Sequence, residues 1–160
     1  MTYLPMCAIF DVDGTLADVS GVRHYVTADP KKKNFQKFHG AASYVRPNDA
    51  VVQLAQDLDR KGIVIVVVTS RMEMWRYRTS TWLQKWNVPF DYLLMRRDHD
   101  ERKDVEVKRE ILTAIREKYR VILAVDDNPA VIALWTAENI PTVVVPGWVV
   151  EPVAEVYQAP

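Results

Sequence analysis

The sequence has a single cysteine, no net charge and no apolar run of membrane-spanning length. Cys7 has no second cysteine to pair with, so an internal disulfide is excluded and a reducing cytoplasm is the expected compartment. The 21 basic and 21 acidic residues cancel, so the total charge gives no support for a nucleic-acid or membrane partner. Such a partner would have to bind a local basic patch. The amino terminus shows no basic segment followed by an apolar one, so we expect neither a secretory signal nor a membrane span.

Histidine clusters of the kind that bind metals are also missing. His24, His39 and His99 form no ligand motif, so we expect surface or loop residues and assign them no role. The 160 residues are enough for one domain with a buried core. We therefore expect a single domain over residues 1–160.

The most informative stretch is A-I-F-D-V-D-G-T-L-A-D, at positions 8–18. The apolar run Cys7–Phe10 predicts a buried strand that ends in two carboxylates, Asp11 and Asp13. Burying carboxylates is costly unless a cation or hydrogen-bond donors compensate, so the pair indicates a metal-bearing site. An Asp-rich calcium loop is the alternative interpretation, but such a loop needs a bidentate glutamate at its twelfth position, where this sequence has Val22.

Strand and helix patterns alternate along the rest of the chain. Apolar runs predict further strands at 63–68, 91–95, 121–125 and 142–145. Amphipathic stripes and capping residues predict helices at 34–42, from Asn48 to Gly62, 73–86, from Asp104 to Tyr119, and after Asn128, with a short helix in the tail from Glu151. This alternation predicts an α/β fold with a doubly wound parallel sheet, in which ligands bind at the carboxyl ends of the strands. The polar segment 18–47 is the exception and is expected to form a small flap.

Polar residues follow three of these strands at the end where a ligand would bind. Besides Asp11 and Asp13, they are Thr69, Ser70 and Arg71 after the second strand, and Asp126 and Asp127 after the fourth. Carboxyl ends of parallel strands meet at one edge of a sheet, so we expect one shared site there.

Lys108 is a further candidate, because it lies on the apolar stripe of the helix that starts near Asp104. A lysine at an inward position near a helix start is badly placed for burial and for the helix dipole. Either its amine extends to solvent along a packed stem, or it is held against an anionic group in the site.

Four ordered segments carry a family resemblance: F-D-V-D-G-T-L, V-V-V-T-S-R, R-K-D-V-E-V-K-R-E-I-L and L-A-V-D-D-N. In these segments the chain resembles the haloacid dehalogenase (HAD) superfamily of phosphohydrolases, and within it the 3'-phosphatase domain of phage-type polynucleotide kinase-phosphatases. The resemblance implies a HAD-like Rossmannoid sheet with a minimal cap. No G-x-x-x-x-G-K-[ST] segment of a kinase occurs, so a stand-alone phosphatase of a phage or bacterial genome is expected.

The resemblance also implies residue roles. Asp11 would be the nucleophile that forms an aspartyl-phosphate, and Asp13 would protonate the leaving oxygen and later activate water. Asp11, the Asp13 main-chain carbonyl, Asp126 and Asp127 would hold Mg²⁺. The phosphate would be bound by Lys108 and by Thr69, Ser70, Arg71 and Arg23. The acid at Asp13 argues against dehalogenase chemistry, because that branch keeps no acid there.

The substrate is less constrained by the sequence. The segments 18–47 and 72–103 leave no room for a large lid, which suits a polymeric substrate, although an oligomer could supply a lid from a neighbouring copy. Basic residues interleaved with aromatics could guide a nucleic-acid end, namely Lys31, Lys32, Lys33 and Lys37 with Phe35 and Phe38, and Arg96, Arg97, Arg102 and Lys103. Their alternative role is an ordinary solvated surface.

Three functions follow. The first is a polynucleotide 3'-phosphatase in end repair. The others are a nucleotide or small-molecule phosphatase, and a non-catalytic nucleic-acid-binding module.

Overall fold

A five-stranded parallel sheet forms the centre of the computed structural model, which describes residues 3–27 and 33–146. The strands are β1 (Met6–Phe10), β2 (Val64–Met72), β3 (Tyr92–Arg96), β4 (Arg120–Asp126) and β5 (Thr142–Val144). Their order is β3-β2-β1-β4-β5, with β1 in the middle, and every pair is parallel. The predicted doubly wound parallel sheet is confirmed.

The helices lie on both faces of this sheet. They are α1 (His24–Thr27), α2 (Phe35–Ala42), α3 (Asp49–Arg60), α4 (Arg76–Lys85), α5 (Asp104–Arg116) and α6 (Pro129–Ala137), with a 3₁₀ turn at Glu73–Trp75 before α4. Side chains of β1 alternate between the faces. Ala8 and Phe10 pack into the apolar cluster that includes α3 and α4, whereas Cys7 and Ile9 pack into the cluster with α5 and α6. A strand buried on both faces is apolar throughout, which is why its sequence shows no polar alternation.

Strand β2 is longer than predicted and carries its polar residues inside its assigned bounds. The apolar run ends at Val68, but the strand continues through Thr69 to Met72. The pairing register between β2 and β3 shifts between Thr69 and Met72, so the ladder is irregular there. This irregular end lets the polar side chains of β2 leave the regular alternation and reach the rim of the sheet.

Two of the helix starts differ from their predictions. Asn48 precedes α3 as predicted, but its side chain makes no capping hydrogen bond. Asp104 is the first residue of α5 instead of its cap, and its carboxylate accepts a hydrogen bond from Arg96 at 2.6 Å. By contrast, Asn128 caps α6 as predicted, since its Oδ1 accepts from the backbone N–H of Ala130 at 3.0 Å.

Segment 18–47 is attached to the body of the domain at both ends and along α2. The backbone N–H of Asp18 donates to the carbonyl of Arg46 at 2.9 Å, which brings the two ends together. Phe38 and Ala42 of α2 are buried in the core, and the indole of Trp82 donates to the carbonyl of Val45 at 2.9 Å. The described residues of this segment therefore pack against the body of the domain. Lys31, Lys32 and the predicted tail helix from Glu151 lie outside the described residues.

Candidate active site

The carboxyl ends of β1, β2 and β4 bring the predicted residues to one edge of the sheet. Asp11 follows β1, and Asp126 ends β4. In the loop directly after β1, Gly14 has a φ of +82°. A Cβ at this position would collide with the Asp127 carboxylate and with Arg23. Glycine is required here because the loop after β1 turns in the left-handed region while passing directly against that carboxylate.

Lys108 lies between two of these carboxylates. Its Nζ is 2.8 Å from Asp11 Oδ1 and 2.8 Å from Asp126 Oδ2. The side chain is 3% exposed, so the alternative in which the amine extends to solvent is wrong. Although burial alone would lower the pKa of Lys108, the two carboxylates raise it above its ordinary value, so the amine is a fixed positive charge.

Three carboxylates converge beside this lysine. One oxygen each of Asp11, Asp126 and Asp127 lie within 4.8 Å of one another, and all three residues are buried. Burial raises the pKa of Asp11 well above its usual range, against the lowering effect of Lys108, and burial also raises the pKa of Asp127. Hard oxygen donors at this spacing fit a divalent cation, which would offset their mutual repulsion.

Further donors hold the three carboxylates in place. The Thr15 hydroxyl lies 3.1 Å from Asp127 Oδ1 and 3.4 Å from Asp11 Oδ2. The backbone N–H groups of Asp127 and Asn128 donate to Asp126 Oδ1 at 3.0 and 3.1 Å, which leaves Asp126 Oδ2 for Lys108. The indole of Trp135 approaches the same Oδ2 at 3.4 Å.

The side chain of Asp13 is separate from the carboxylate cluster and is bound by Arg71. The guanidinium donates from Nε to Asp13 Oδ2 at 2.9 Å and from Nη2 to Oδ1 at 2.6 Å, while Nη1 donates to the Thr79 hydroxyl at 3.1 Å. Burial by itself raises the pKa of Asp13, but Arg71 lowers it below its ordinary value. Asp13 is therefore an ionised partner of Arg71.

The remaining predicted phosphate ligands lie around the same edge. The Thr69 hydroxyl is buried and accepts from the backbone N–H of Arg71 at 3.2 Å. The Ser70 hydroxyl is buried and has no partner among the described residues. Arg23 Nη2 forms an ion pair with Asp127 Oδ2 at 3.1 Å, and a cavity of about 520 Å³ opens beside Arg23 and Gly14.

Comparison with known proteins identifies this arrangement. A family model described as the polynucleotide kinase PNKP phosphatase domain matches residues 5–146. The chain belongs to the PNKP phosphatase domain family. The predicted resemblance is confirmed, and with it the assignment as a phosphoric monoester hydrolase.

Individual relatives agree with this family. A putative bifunctional polynucleotide kinase/RNA ligase of Autographa californica nuclear polyhedrosis virus is 28% identical over 142 residues, which are 87% of this chain and 19% of that protein. A solved structure of a Pnkp1/Rnl/Hen1 complex gives 30% identity and a TM-score of 0.75, and covers 91% of this chain and 47% of that one. The class C acid phosphatase of Bacillus anthracis shares the fold alone, with 14% identity, a TM-score of 0.65, and coverage of 91% of this chain and 68% of that one. This chain spans less than half the length of its first two relatives.

Of the basic residues at the end of β3 and in the loop after it, Arg96 is buried, whereas Arg97, Arg102 and Lys103 stay exposed. In this PNKP phosphatase domain Arg96 is buried and donates to the carbonyls of Ser70, Asp100 and Arg102, as well as to the Asp104 carboxylate. Arg97 and Arg102 pair with Glu110, and Arg102 also pairs with Asp100. These arginines hold the loop against α5. Similarly, Phe38 is core, while Phe35 is 57% exposed.

Sequence reasoning missed three residues of the site. The sequence predicted Thr79 only as part of the helix at 73–86, and it did not predict the partner of the Trp135 indole. His39 was expected on the surface, but its side chain is half-buried in α2 and packs against Trp75. The sequence carries no local signal for these contacts. His24 and His99 are exposed as predicted, and within the described residues no helix is both long and apolar enough to cross a membrane.

Proposed function

We propose that this domain is a Mg²⁺-dependent phosphomonoesterase that removes a 3'-phosphate from a polynucleotide through an aspartyl-phosphate on Asp11. The observation that carries the proposal is the contact of Lys108 with Asp11 and Asp126 beside the convergence of Asp11, Asp126 and Asp127. A carboxylate nucleophile meets an anionic phosphate only where positive charge offsets the repulsion, and this edge of the sheet supplies both the nucleophile and the fixed charge.

The chemistry divides into two steps. In the first, an oxygen of Asp11 forms a bond to phosphorus as the bond from phosphorus to the leaving oxygen breaks, and Asp13 gives its proton to that oxygen. In the second, Asp13 takes a proton from water, whose oxygen attacks phosphorus and releases Asp11 and inorganic phosphate. Asp11, Asp126 and Asp127 would hold Mg²⁺, with the main-chain carbonyl of Asp13, and the ion would supply further positive charge against the phosphate oxygens.

The residues that bind the phosphate also prepare Asp13 for its role. Arg71 holds Asp13 as a carboxylate before substrate binds, whereas the leaving oxygen needs a protonated acid. A phosphate that accepts hydrogen bonds from Arg71 would weaken the ion pair and add negative charge nearby, and both changes raise the pKa of Asp13. Thr69, Ser70, Lys108 and Arg23 would complete the set of phosphate donors.

A polynucleotide substrate is supported by the open site and by the relatives. The described part of the flap contains two short helices, α1 and α2, so the described residues form no large lid over the site. We infer one phosphatase domain over residues 1–160 with this flap as its minimal cap. The relatives are named as polynucleotide kinase/RNA ligase and as members of a Pnkp1/Rnl/Hen1 complex, so a dephosphorylated end produced here would suit a ligase as the next enzyme. The buried thiol of Cys7 suits a reducing compartment such as the cytoplasm.

A nucleotide phosphatase is the second candidate. The cavity of about 520 Å³ beside Arg23 is lined by polar groups that include Asp18, Ser20 and Asn48. Its size matches a single nucleotide, and such a ligand would need no basic surface outside the site. A homo-oligomer, in which a neighbouring copy supplies a lid, stays a prediction from the sequence.

Phosphate release distinguishes the two candidates. Matched oligonucleotides with a 3'-phosphate or a 5'-phosphate are compared with 3'- and 5'-mononucleotides in Mg²⁺, and Asp11→Asn is the control. The proposal expects the highest kcat/KM on the 3'-phosphorylated oligonucleotide and no turnover by Asp11→Asn. Preference for mononucleotides would keep the chemistry but replace the substrate, whereas turnover by Asp11→Asn near the wild-type rate would contradict the nucleophile itself.

A further inference from the structure

His39 is fixed among aromatic rings at the edge of the site. Its ring centroid lies 5.2 Å from Phe38 in an edge-on contact, 5.6 Å from Trp75 and 6.4 Å from the stacked ring of Phe35. Phe38 is itself buried in the core, so the backbone that carries His39 is anchored. The imidazole therefore has a defined position instead of the mobility of a surface histidine.

The two ring nitrogens of His39 are in different surroundings. Nδ1 is buried and has no hydrogen-bond partner among the described residues, whereas Nε2 is not buried and makes no hydrogen bond to a described residue either. A neutral imidazole carries one N–H, and a bare nitrogen is less costly to bury unpaired than an N–H group. These surroundings favour the tautomer with its hydrogen on Nε2, the accessible nitrogen.

Four charged groups act on this imidazole. Asp13 and Arg71 belong to the site, whereas Arg96 and Asp104 bind each other where the loop after β3 meets α5. Burial lowers the pKa of His39 to about 4, and the two arginines add to that effect, so the ring is neutral near pH 7. The Trp75 ring that His39 contacts lies in the turn directly after β2, so this neutral N–H donor is held at the edge of the sheet that carries Asp13 and Arg71.

Packing alone does not account for a histidine at this position. A phenylalanine would fill the same space among Phe35, Phe38 and Trp75 without a buried unpaired nitrogen. Such a nitrogen costs on the order of 1–3 kcal/mol, and buried unpaired polar groups concentrate where function uses them. A metal-binding role does not fit either, because within the described residues the grouped metal-binding candidates are Asp11, Asp126 and Asp127, without His39.

We propose that His39 is a substrate-binding residue on the leaving-group side, where its Nε2–H donates a hydrogen bond to an oxygen of the terminal sugar and phosphate backbone of the substrate. This inference rests on the proposed polynucleotide phosphatase function and goes beyond it, because it assigns recognition of the leaving group to the flap. The ring discriminates esters by what lies beyond the scissile bond and takes no part in bond breaking. A small ester whose leaving group lacks a sugar gains nothing from it.

The test compares two esters in three variants. His39→Phe keeps the ring packing and removes the donor, His39→Gln restores an N–H donor, and His99→Asn is the matched control at an exposed histidine with a φ of +64°. The substrates are a 3'-phosphorylated oligonucleotide and p-nitrophenyl phosphate. We expect His39→Phe to lose about tenfold in kcat/KM on the oligonucleotide, the loss of one hydrogen bond, and less than twofold on p-nitrophenyl phosphate. His39→Gln should recover part of that loss, and His99→Asn should behave as wild type.

A thermal melt accompanies the kinetics. His39→Phe should melt at or above the wild-type temperature, since it removes an unpaired buried nitrogen. Equal losses on both esters, or no loss on either, would overturn the contact with the leaving group. A different result would overturn the proposed function itself, namely a wild-type protein that does not prefer the 3'-phosphorylated oligonucleotide. That result would also remove the proposed contact of His39, before any His39 variant is measured.

Discussion

Arg71 donates two hydrogen bonds to Asp13, from Nε to Oδ2 at 2.9 Å and from Nη2 to Oδ1 at 2.6 Å, and both side chains are largely buried. The same guanidinium donates to Thr79 on α4, which fixes its plane. A rigid fork of donors suits a phosphate as well as a carboxylate, so in the proposed mechanism the arginine exchanges one anion for the other when substrate binds. The same contact would then serve both the stability of the fold and catalysis.

Replacement of Arg71 tests both sides of this contact. Arg71→Lys keeps the charge but loses the fork and the bond to Thr79, so we expect kcat/KM on p-nitrophenyl phosphate to fall by about 10²-fold, the value of two charge-assisted hydrogen bonds. A wild-type rate in a variant with an unchanged circular dichroism spectrum would remove Arg71 from phosphate binding.

Stability should follow pH in a defined direction. Arg71 lowers the pKa of Asp13 in the folded protein, so the ion pair stabilises the fold above the ordinary Asp pKa of about 3.9, and that contribution is lost as pH falls through the lowered folded value. In urea unfolding, Arg71→Gln should be less stable than wild type at pH 7, and the difference should narrow below about pH 4. A constant difference across this range, from neutral pH down to well below the ordinary Asp pKa, would contradict the ion pair.

Lys108 should be essential for stability as well as for activity. Lys108→Met leaves Asp11 and Asp126 buried without their shared cation, and the loss of one partner from a buried ion pair costs about 3–5 kcal/mol in the free energy of unfolding. Chemical denaturation without divalent metal measures this loss. Lys108→Met combined with Asp11→Asn is the control, because it removes one of the two uncompensated charges and should recover part of the stability. A single variant as stable as wild type would mean that solvent already compensates these carboxylates.

The acidic cluster predicts a metal effect that is independent of turnover. If Mg²⁺ binds the folded site and not the unfolded chain, as proposed, the melting temperature should rise with the Mg²⁺ concentration, and chelation with EDTA should reverse the shift and stop turnover. Asp127→Asn removes one of the three converging carboxylates and should reduce the Mg²⁺ shift severalfold. Its control is Asp100→Asn, because the Asp100 carboxylate lies outside the cluster and pairs with Arg102. An equal Mg²⁺ shift in all three proteins would place the ion elsewhere.

The sheet and its functional edge could be predicted because their signals are local. The run Cys7–Phe10 is buried on both faces and pairs with β2 and β4 along its length, so every position is apolar and the polar residues begin where the strand ends. Lys108 could be predicted for a similar reason, since a lysine on the apolar stripe of a helix stands out against its neighbours. Strand alternation then fixes which ends meet.

The contacts that could not be predicted join residues whose role depends on three-dimensional neighbours. Arg96 looked like part of a basic surface, because a sequence shows charge but not burial, and only the fold places it under the carbonyls of its own loop. Thr79 follows the apolar stripe of α4 and gives no sign that its hydroxyl meets Arg71. His39 looked like one exposed histidine among three. In each case the partner is on another element or across a turn, beyond the reach of periodicity.

The flap lysines are one group of candidates for guiding a polynucleotide, beside the exposed Arg97, Arg102 and Lys103 after β3, of which the two arginines form ion pairs with Glu110. Lys31, Lys32 and Lys33 precede α2, whose residues Lys37 and Phe35 are exposed. The triple change of Lys31, Lys32 and Lys33 to Ala should lower kcat/KM on a 3'-phosphorylated oligonucleotide and flatten its dependence on salt. The log–log slope should fall by about 0.7 for each backbone phosphate that the variant no longer binds. Turnover of p-nitrophenyl phosphate should change less than twofold.

Charge removal by itself needs a matched control. Lys61, Lys85 and Lys118 are exposed and lie at helix ends that lead toward the amino ends of the strands, on the opposite side of the sheet from the site. Their triple Ala variant carries the same change in net charge, so it should keep the wild-type salt slope on the oligonucleotide. If both triple variants show the same reduction in the salt slope, the effect is one of total charge. If the flap variant instead loses activity equally on the oligonucleotide and on p-nitrophenyl phosphate, the lysines stabilise the flap. The expected result is a salt slope that changes only in the flap variant and only on the oligonucleotide. Because the salt slope counts the counterions released by phosphate binding, this result would place the nucleic-acid backbone against Lys31–Lys33.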